Sequence, residues 1–211
     1  MSSPDLIIKR PFLVIMPVWN RFEFTHLSLK CFFANAPFNL VESLIIFDNT
    51  SPDIPRSYID SNFIPVVSGN FPNANYCLNA VKGLSFPDHV KYLVKIDNDI
   101  VIKPLFFQTL HSLFLDHPDI GTVFFAKNGE KSFNAKSSPH GGVFATRFDI
   151  FSWYGNFPVS GSYPGCEFYH RYVLNHGFKL CSIPDIADDL SYTRPDLVDI
   201  YVKKGWMRRP V

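Results

Sequence analysis

The chain has 211 residues, with 20 Lys and Arg against 19 Asp and Glu and a net charge of +1. That balance excludes a nucleic-acid binder that lives on bulk phosphate attraction. A content of 46% hydrophobic and 18% charged residues excludes a disordered chain. The length predicts one domain, and the 22 Phe residues give its helix stripes a strongly aromatic core face.

The N-terminal apolar run is short and broken by Pro17. It reads neither as a signal peptide nor as a membrane span, and no run of 18 apolar residues follows, which together predict a cytoplasmic protein. Phe12 to Val18 is a nearly continuous apolar stretch, the mark of a strand buried on both faces. Phe22 to Ala36 carries an apolar stripe at helical spacing and stops at Pro37. Strands are predicted over Leu44–Phe47 and Phe63–Val67, with a helix over Asn75–Leu84. Tyr92–Ile96 is a further strand that runs into Asp97-Asn98-Asp99. A helix with Pro104 at its first position is predicted as far as Leu115, then a strand over Ile120–Phe125. Lys127 to Gly142 is polar and glycine-containing, which predicts a mobile loop. Val143–Thr146 reads as a strand, Cys166–His176 as a helix ending at Gly177, and Phe178–Ile183 as a late strand. Residues 185–211 show no strong period. Strands alternating with helices predict an α/β sheet.

The four cysteines, Cys31, Cys77, Cys166 and Cys181, have no metal-ligand spacing and read as free thiols of a reducing compartment. Lys203, Lys204, Arg208 and Arg209 surround Trp206 and read as a solvated tail, or else as a contact to anionic lipid or a phosphate-bearing substrate.

Two carboxylates one residue apart, just past a buried strand, can share a hard divalent cation whose remaining ligands come from a substrate diphosphate. In open α/β sheets ligands collect outside the carboxyl ends of the strands. Asp97 and Asp99 stand at such an end, as do Asp48 after Ile45-Ile-Phe and the loop Pro17-Val-Trp-Asn20-Arg21. Asp48 also suits an Asx-turn, Arg21 a solvated helix start, and Glu167 a helix N-terminus whose dipole favours acid.

These segments, in this order, resemble the GT-A fold of nucleotide-sugar glycosyltransferases, especially the inverting family 2. Asn70 to Asn79 is similar to the segment that opens that family's third helix. Gly141-Gly142-Val-Phe-Ala-Thr-Arg147 resembles its acceptor-side loop, and Gly165-Cys-Glu167 through Pro184 its catalytic-acid helix and following strand. The resemblance covers roughly residues 11–185. It implies a mostly parallel central sheet with helices on both faces. A nucleotide-binding part would occupy about 11–103, an acceptor and catalytic part about 104–190, and a C-terminal tail about 191–211.

The resemblance also implies roles. Pro17, Asn20, Arg21, Asp48, Asn79, Asp97 and Asn98 would bind the nucleotide-sugar, with Asp48 on the base or ribose. Asp99, with Asp97, would hold Mn²⁺ or Mg²⁺. Glu167 would be the general base toward a hydroxyl acceptor, a role that burial would favour by raising its pKa. Gly141, Gly142, Trp153 and Tyr163 would lie on the acceptor side, the aromatic residues as a sugar platform or as core packing. The late metal-binding His of the family is replaced by Asp188, Asp189 or water. The implied reaction is sugar transfer from a UDP-sugar with inversion. The short length leaves a small acceptor, or a chain that is one module of a larger protein or assembly. Two rival functions are a haloacid-dehalogenase-like phosphohydrolase using Asp97 and Asp99, and a non-catalytic nucleotide-sugar-binding module. No GxGxxG or P-loop is present to support a dinucleotide or NTP enzyme.

Overall fold

The computed structural model describes residues 10–52, 54–125, 132, 142–159 and 165–205. Its strands are β1 (Phe12–Val18), β2 (Val41–Asp48), β3 (Val66–Ser68), β4 (Tyr92–Ile96), β5 (Ile100–Ile102), β6 (Ile120–Phe125), β7 (Val143–Arg147), β8 (Lys179–Ile183) and β9 (Ala187–Asp189). The helices are α1 (Phe22–Asn35), α2 (Arg56–Ser61), α3 (Ala74–Lys82), α4 (Phe106–Asp116), α5 (Phe148–Trp153), α6 (Gly165–Asn175), α7 (Leu190–Thr193) and α8 (Pro195–Lys203).

Seven strands form one sheet in the order β3-β2-β1-β4-β7-β6-β8, and β5 with β9 form a separate ribbon. Every neighbouring pair in the large sheet is parallel except the two that β7 makes with β4 and β6. Burial on both faces explains the continuous apolar strands. Along β1, Phe12, Val14, Met16 and Val18 face α1, α2 and α4, while Leu13 and Ile15 face α3, α5 and α6. The Phe stripes behave as expected on the core side: Phe106 and Phe107 of α4 and Phe151 of α5 are almost wholly buried. Cys77 and Cys181 are buried and Cys31 half-buried, all three as free thiols, and burial pushes the Cys77 thiol up to about 12. Among the described residues no helix is long and apolar enough to cross a membrane.

Several boundaries differ from expectation. The strand expected at 63–67 begins at Val66, because Phe63 takes a left-handed φ of 52° in the turn that closes α2. Pro104 is not the first helical residue. It lies in a turn, and Leu105, at φ 66°, precedes α4. The loop expected at 127–142 falls mostly outside the described residues, although Ser132 pairs with Ser182 at the free edge of β8.

The chief correction concerns the C-terminal stretch read as aperiodic. It forms β9, α7 and α8, with Pro195 at the start of α8, the position where a missing N–H costs nothing. Strand β9 pairs antiparallel with β5, and the Leu190 N–H donates to the Asp99 carbonyl at 2.8 Å. Leu197, Val198 and Tyr201 of α8 pack with Leu190 and with Phe24 of α1. The Tyr201 hydroxyl accepts from the Glu23 N–H at 3.0 Å and donates to the Glu23 carboxylate. Helix α8 is thereby strapped to the start of α1.

The sheet and α6 meet closely at Gly121. A Cβ placed there would lie 2.6 Å from Val173 Cγ1 and 2.9 Å from Phe178 Cβ. The substitution Gly121→Ala should cost about 1–3 kcal/mol through overpacking, read as a lower urea midpoint with an unchanged slope.

Candidate active site

The topology brings the ends of β1 and β4 and the first turn of α3 to one edge of the sheet. They line a cleft formed by residues 17–19 and 21, 71–74, and 97–99. In parallel βα units the helix N-termini face that same edge, so the positive end of α3 lies against the cleft and suits an anion.

The floor is a row of four charges. Lys95 lies inside β4 with 1% of its side chain exposed, and its Nζ pairs with Asp97 Oδ1 at 2.6 Å. The Arg21 Nη1 pairs with Asp99 Oδ2 at 2.6 Å. Among the described residues, Asp97 Oδ2 and Asp99 Oδ1 have no hydrogen-bond donor. Burial pushes the Asp97 carboxyl up to about 6. Lys95 pulls it down, Asp99 pushes it up further, and Arg21 pulls it back.

Gly142 stands beside this row. Its carbonyl accepts from the Asp97 N–H at 2.8 Å, and a Cβ there would meet Ile100 Cδ1 at 2.9 Å and come within 3.9 Å of Asp97 Oδ2. The space over that oxygen therefore depends on glycine. Two carboxylates, each with an oxygen to spare, fit a Mg²⁺-like or Mn²⁺-like ion that takes its other ligands from phosphate and water. Among the described residues no three His, Cys, Asp or Glu side chains converge. Asp188 instead pairs with Lys103 at 3.0 Å, and Asp189 caps α7 by accepting from the Ser191 N–H. Neither is placed as a third ligand.

The other expected residues divide between the cleft and its supports. Pro17, Arg21, Asp97 and Asn98 line the cleft. Asn98 is buried and works as a cross-link. Its side-chain amide donates to the Asn20 carbonyl at 3.2 Å and to Thr25 Oγ1 at 2.9 Å, and its backbone carbonyl accepts from Ser28 Oγ at 3.0 Å. Asn20 is also buried, with its N–H on Ser51 Oγ at 2.8 Å and its Oδ1 without a partner among the described residues.

Asp48 is fully buried, and both of its carboxylate oxygens are engaged within the chain. Its Oδ1 accepts from the Ser51 N–H at 3.0 Å and its Oδ2 from Arg56. The Asx-turn takes it, because Asn49, Thr50 and Ser51 fold straight back onto the strand end. Asn79 is likewise withdrawn from the cleft. Its amide donates to the Phe157 carbonyl and accepts from the Phe157 N–H, at 3.0 and 2.7 Å. One turn away, Asn75 donates to the Pro158 carbonyl at 2.8 Å.

On the acceptor side, Glu167 is 65% exposed and paired with Arg171 at 2.6 Å on its own helix. The burial expected to raise its basicity is not there. Trp153, 62% exposed at the end of α5, is a surface residue and not a lining of the cleft. Gly141 and Tyr163 lie outside the described residues.

Sequence reasoning passed over Lys95, although a lysine inside an apolar strand is the informative kind of exception. It also passed over Arg56 at the start of α2, and Ser51 and Thr25, whose short polar side chains carry no pattern of their own. On α6 it missed His170, which is buried with Nε2 unpartnered among the described residues and whose imidazole burial pushes down to about 4.

No protein-family model matches the sequence, and no curated protein matches it. Solved structures match the fold. A mannosyltransferase from Pyrobaculum calidifontis, in complex with GDP-Man and Mn²⁺, is similar over 87% of this chain with a TM-score of 0.67 and 15% identity, and this chain spans 57% of its length. S. aureus TarS is similar over 82% of the chain with a TM-score of 0.66 and 14% identity, and 58% of its fragment 1–349 is covered. Glucosyl-3-phosphoglycerate synthase from Mycobacterium tuberculosis, in complex with Mn²⁺, UDP and phosphoglyceric acid, is similar over 98% of the chain with a TM-score of 0.66 and 15% identity, and 86% of it is covered. The chain thus spans less than two thirds of the first two. The fold is GT-A, as the motif order implied, and the phosphohydrolase alternative gains no support from it.

The Asp97 carboxyl titrates above its ordinary value of 3.8, at about 6, so the folded chain holds more protons than the unfolded one between those pH values. This group's contribution to stability is therefore present below 3.8 and is lost as pH rises through about 6. Denaturation of the wild type and of Asp97→Asn across that window should show the decline in the first and its loss in the second. Parallel curves would mean that Asp97 titrates normally.

Proposed function

We propose that the chain is a glycosyltransferase that moves a sugar from a UDP-sugar to a hydroxyl acceptor with the help of a divalent cation. The observation that carries this reading is the cleft itself. Two carboxylates with spare oxygens, a guanidinium and a helix N-terminus converge at the carboxyl edge of a GT-A sheet. Two of the structurally similar proteins support it, because one is bound to GDP-Man with Mn²⁺ and another to UDP with Mn²⁺.

Asp99 and Asp97 would hold the cation, which supplies Lewis-acid relief of the charge that builds on the departing diphosphate. Lys95 pins one oxygen of Asp97, so that the other stays turned toward the space that Gly142 keeps open. Arg21 would reach a diphosphate oxygen from the opposite wall, where a guanidinium can offer two parallel N–H donors. The α3 N-terminus adds its partial positive charge. Trp19, 47% exposed on the rim, offers a flat apolar face to a ring.

The base that takes the acceptor proton is assigned to Glu167 on the resemblance alone, and inversion at the anomeric carbon follows from that assignment. Its pair with Arg171 must open for the role.

Two variants test the reading. Asp99→Ala should lower cation-dependent UDP release from a UDP-sugar by about a hundred-fold or more, several kcal/mol of lost charge stabilisation. Full retention of UDP release would refute the metal assignment, and release of inorganic phosphate in its place would restore the phosphohydrolase. Glu167→Gln should spare UDP-sugar binding and abolish transfer, and an unaffected transfer rate would place the base elsewhere.

A further inference from the structure

We propose that Arg21 makes the acidic pair selective for a divalent cation that arrives with a nucleotide diphosphate, and nearly indifferent to the free cation. The inference rests on the donor-site reading above and adds a second task for a residue already in the cleft.

Charge balance is the first argument. Lys95, Asp97, Asp99 and Arg21 pair two by two, so among the described residues the charges of the cleft floor balance before any ligand enters. A free divalent cation would have to displace Arg21 from Asp99 or leave the floor at a net +2, in a partly buried place where unbalanced charge is costly. A diphosphate removes that obstacle. It brings negative charge with the cation and offers the guanidinium a planar, two-pronged partner in exchange for Asp99.

The geometry of the existing pair is the second argument. Only Nη1 of Arg21 reaches Asp99, and Nε is buried without a partner among the described residues. The guanidinium is thus under-used where it rests, and a bidentate anion would satisfy it better.

The backbone is the third. Asn20 and Arg21 are consecutive left-handed residues, with φ of 55° and 63°. The Arg21 carbonyl accepts from the Thr25 N–H at 2.9 Å, and the Asn20 carbonyl is held by Asn98. The Cα of Arg21 is therefore fixed at the first residue before α1 while its side chain is tied by a single contact. The exchange of partners needs a side-chain rotation and no movement of the loop. Arg21 thereby couples the two ligands, and linkage requires the coupling to be reciprocal: nucleotide tightens cation binding by the factor by which cation tightens nucleotide binding.

The experiment titrates Mn²⁺ alone, and Mn²⁺ with UDP, into the intact chain and follows free Mn²⁺ by its electron paramagnetic resonance signal. Arg21→Gly accepts the left-handed turn at no steric cost, and Arg21→Ala serves as its check. Both variants should bind Mn²⁺ alone about ten-fold more tightly than the wild type, the worth of one charge-assisted hydrogen bond. In both, UDP should raise Mn²⁺ affinity by a smaller factor than it does in the wild type. The double variant Arg21→Gly with Asp99→Asn should return to weak binding of Mn²⁺ alone. Unchanged or weaker binding of Mn²⁺ alone in both single variants overturns the proposal, and so does tight binding that survives in the double variant. The wild-type titration with UDP reports separately on the donor-site reading: no UDP-dependent Mn²⁺ binding there removes that reading, and this inference with it.

Discussion

Two backbone turns meet at the carboxyl edge of the sheet, one after β1 and one after β4, the second closed by the Ile100 N–H on the Asp97 carbonyl at 3.1 Å. The first contains two non-glycine residues in the left-handed region, each costing on the order of 1–2 kcal/mol. The second carries two carboxylates within one turn. What joins them is the buried side-chain amide of Asn98, which donates to Asn20 in the first turn and to Thr25 in α1, while the Asn98 backbone carbonyl receives the Ser28 hydroxyl. A buried amide donor left unpaired costs free energy, so the two Nδ2 bonds favour holding the two turns together. The Arg21–Asp99 ion pair at 2.6 Å spans the same two turns that this cross-link joins.

The same logic explains why support residues outnumber lining residues. Asp48 looks like a ligand contact in one dimension, since it ends a strand at the binding edge. In three dimensions it is wholly buried and organises Ser51 and Arg56, and Ser51 in turn holds the Asn20 N–H. Asn79 and Asn75 stand one helical turn apart and clamp the backbone at Phe157 and Pro158. The order of the acidic and amide residues along the chain thus belongs largely to the scaffold that presents the site, and only a few side chains face the cleft.

Much of the fold was legible because strands buried on both faces write themselves as apolar runs. Strands β1, β4, β6 and β8 were read within about a residue at each end from that signal alone. Elements of three residues leave no periodic trace, so β5 and β9 were missed, and α8 shows only one turn of apolar spacing at Leu197, Val198 and Tyr201. In the site, the cleft residues Pro17, Arg21, Asp97 and Asn98 were legible from their place after strands. Lys95 was hidden by its surroundings, as its charge is balanced by a residue two positions away and only the folded strand shows the two side chains together. The acceptor side was the least legible, because a helix-start glutamate reads the same whether it is solvated, as Glu167 is, or buried.

The strap from β9 to α8 carries a consequence for how the molecule comes into being. The start of α1 at Glu23 is held by Tyr201, 178 positions further on, and the turn at Asp99 receives the Leu190 N–H. A ribosome emits Glu23 long before either partner exists. The sheet as far as β4 can assemble from early, local pairings, whereas these two contacts at the cleft edge wait until Leu190 and Tyr201 have been made. The order of synthesis thus sets the sheet strands β1 to β4 before the contacts that brace the cleft edge.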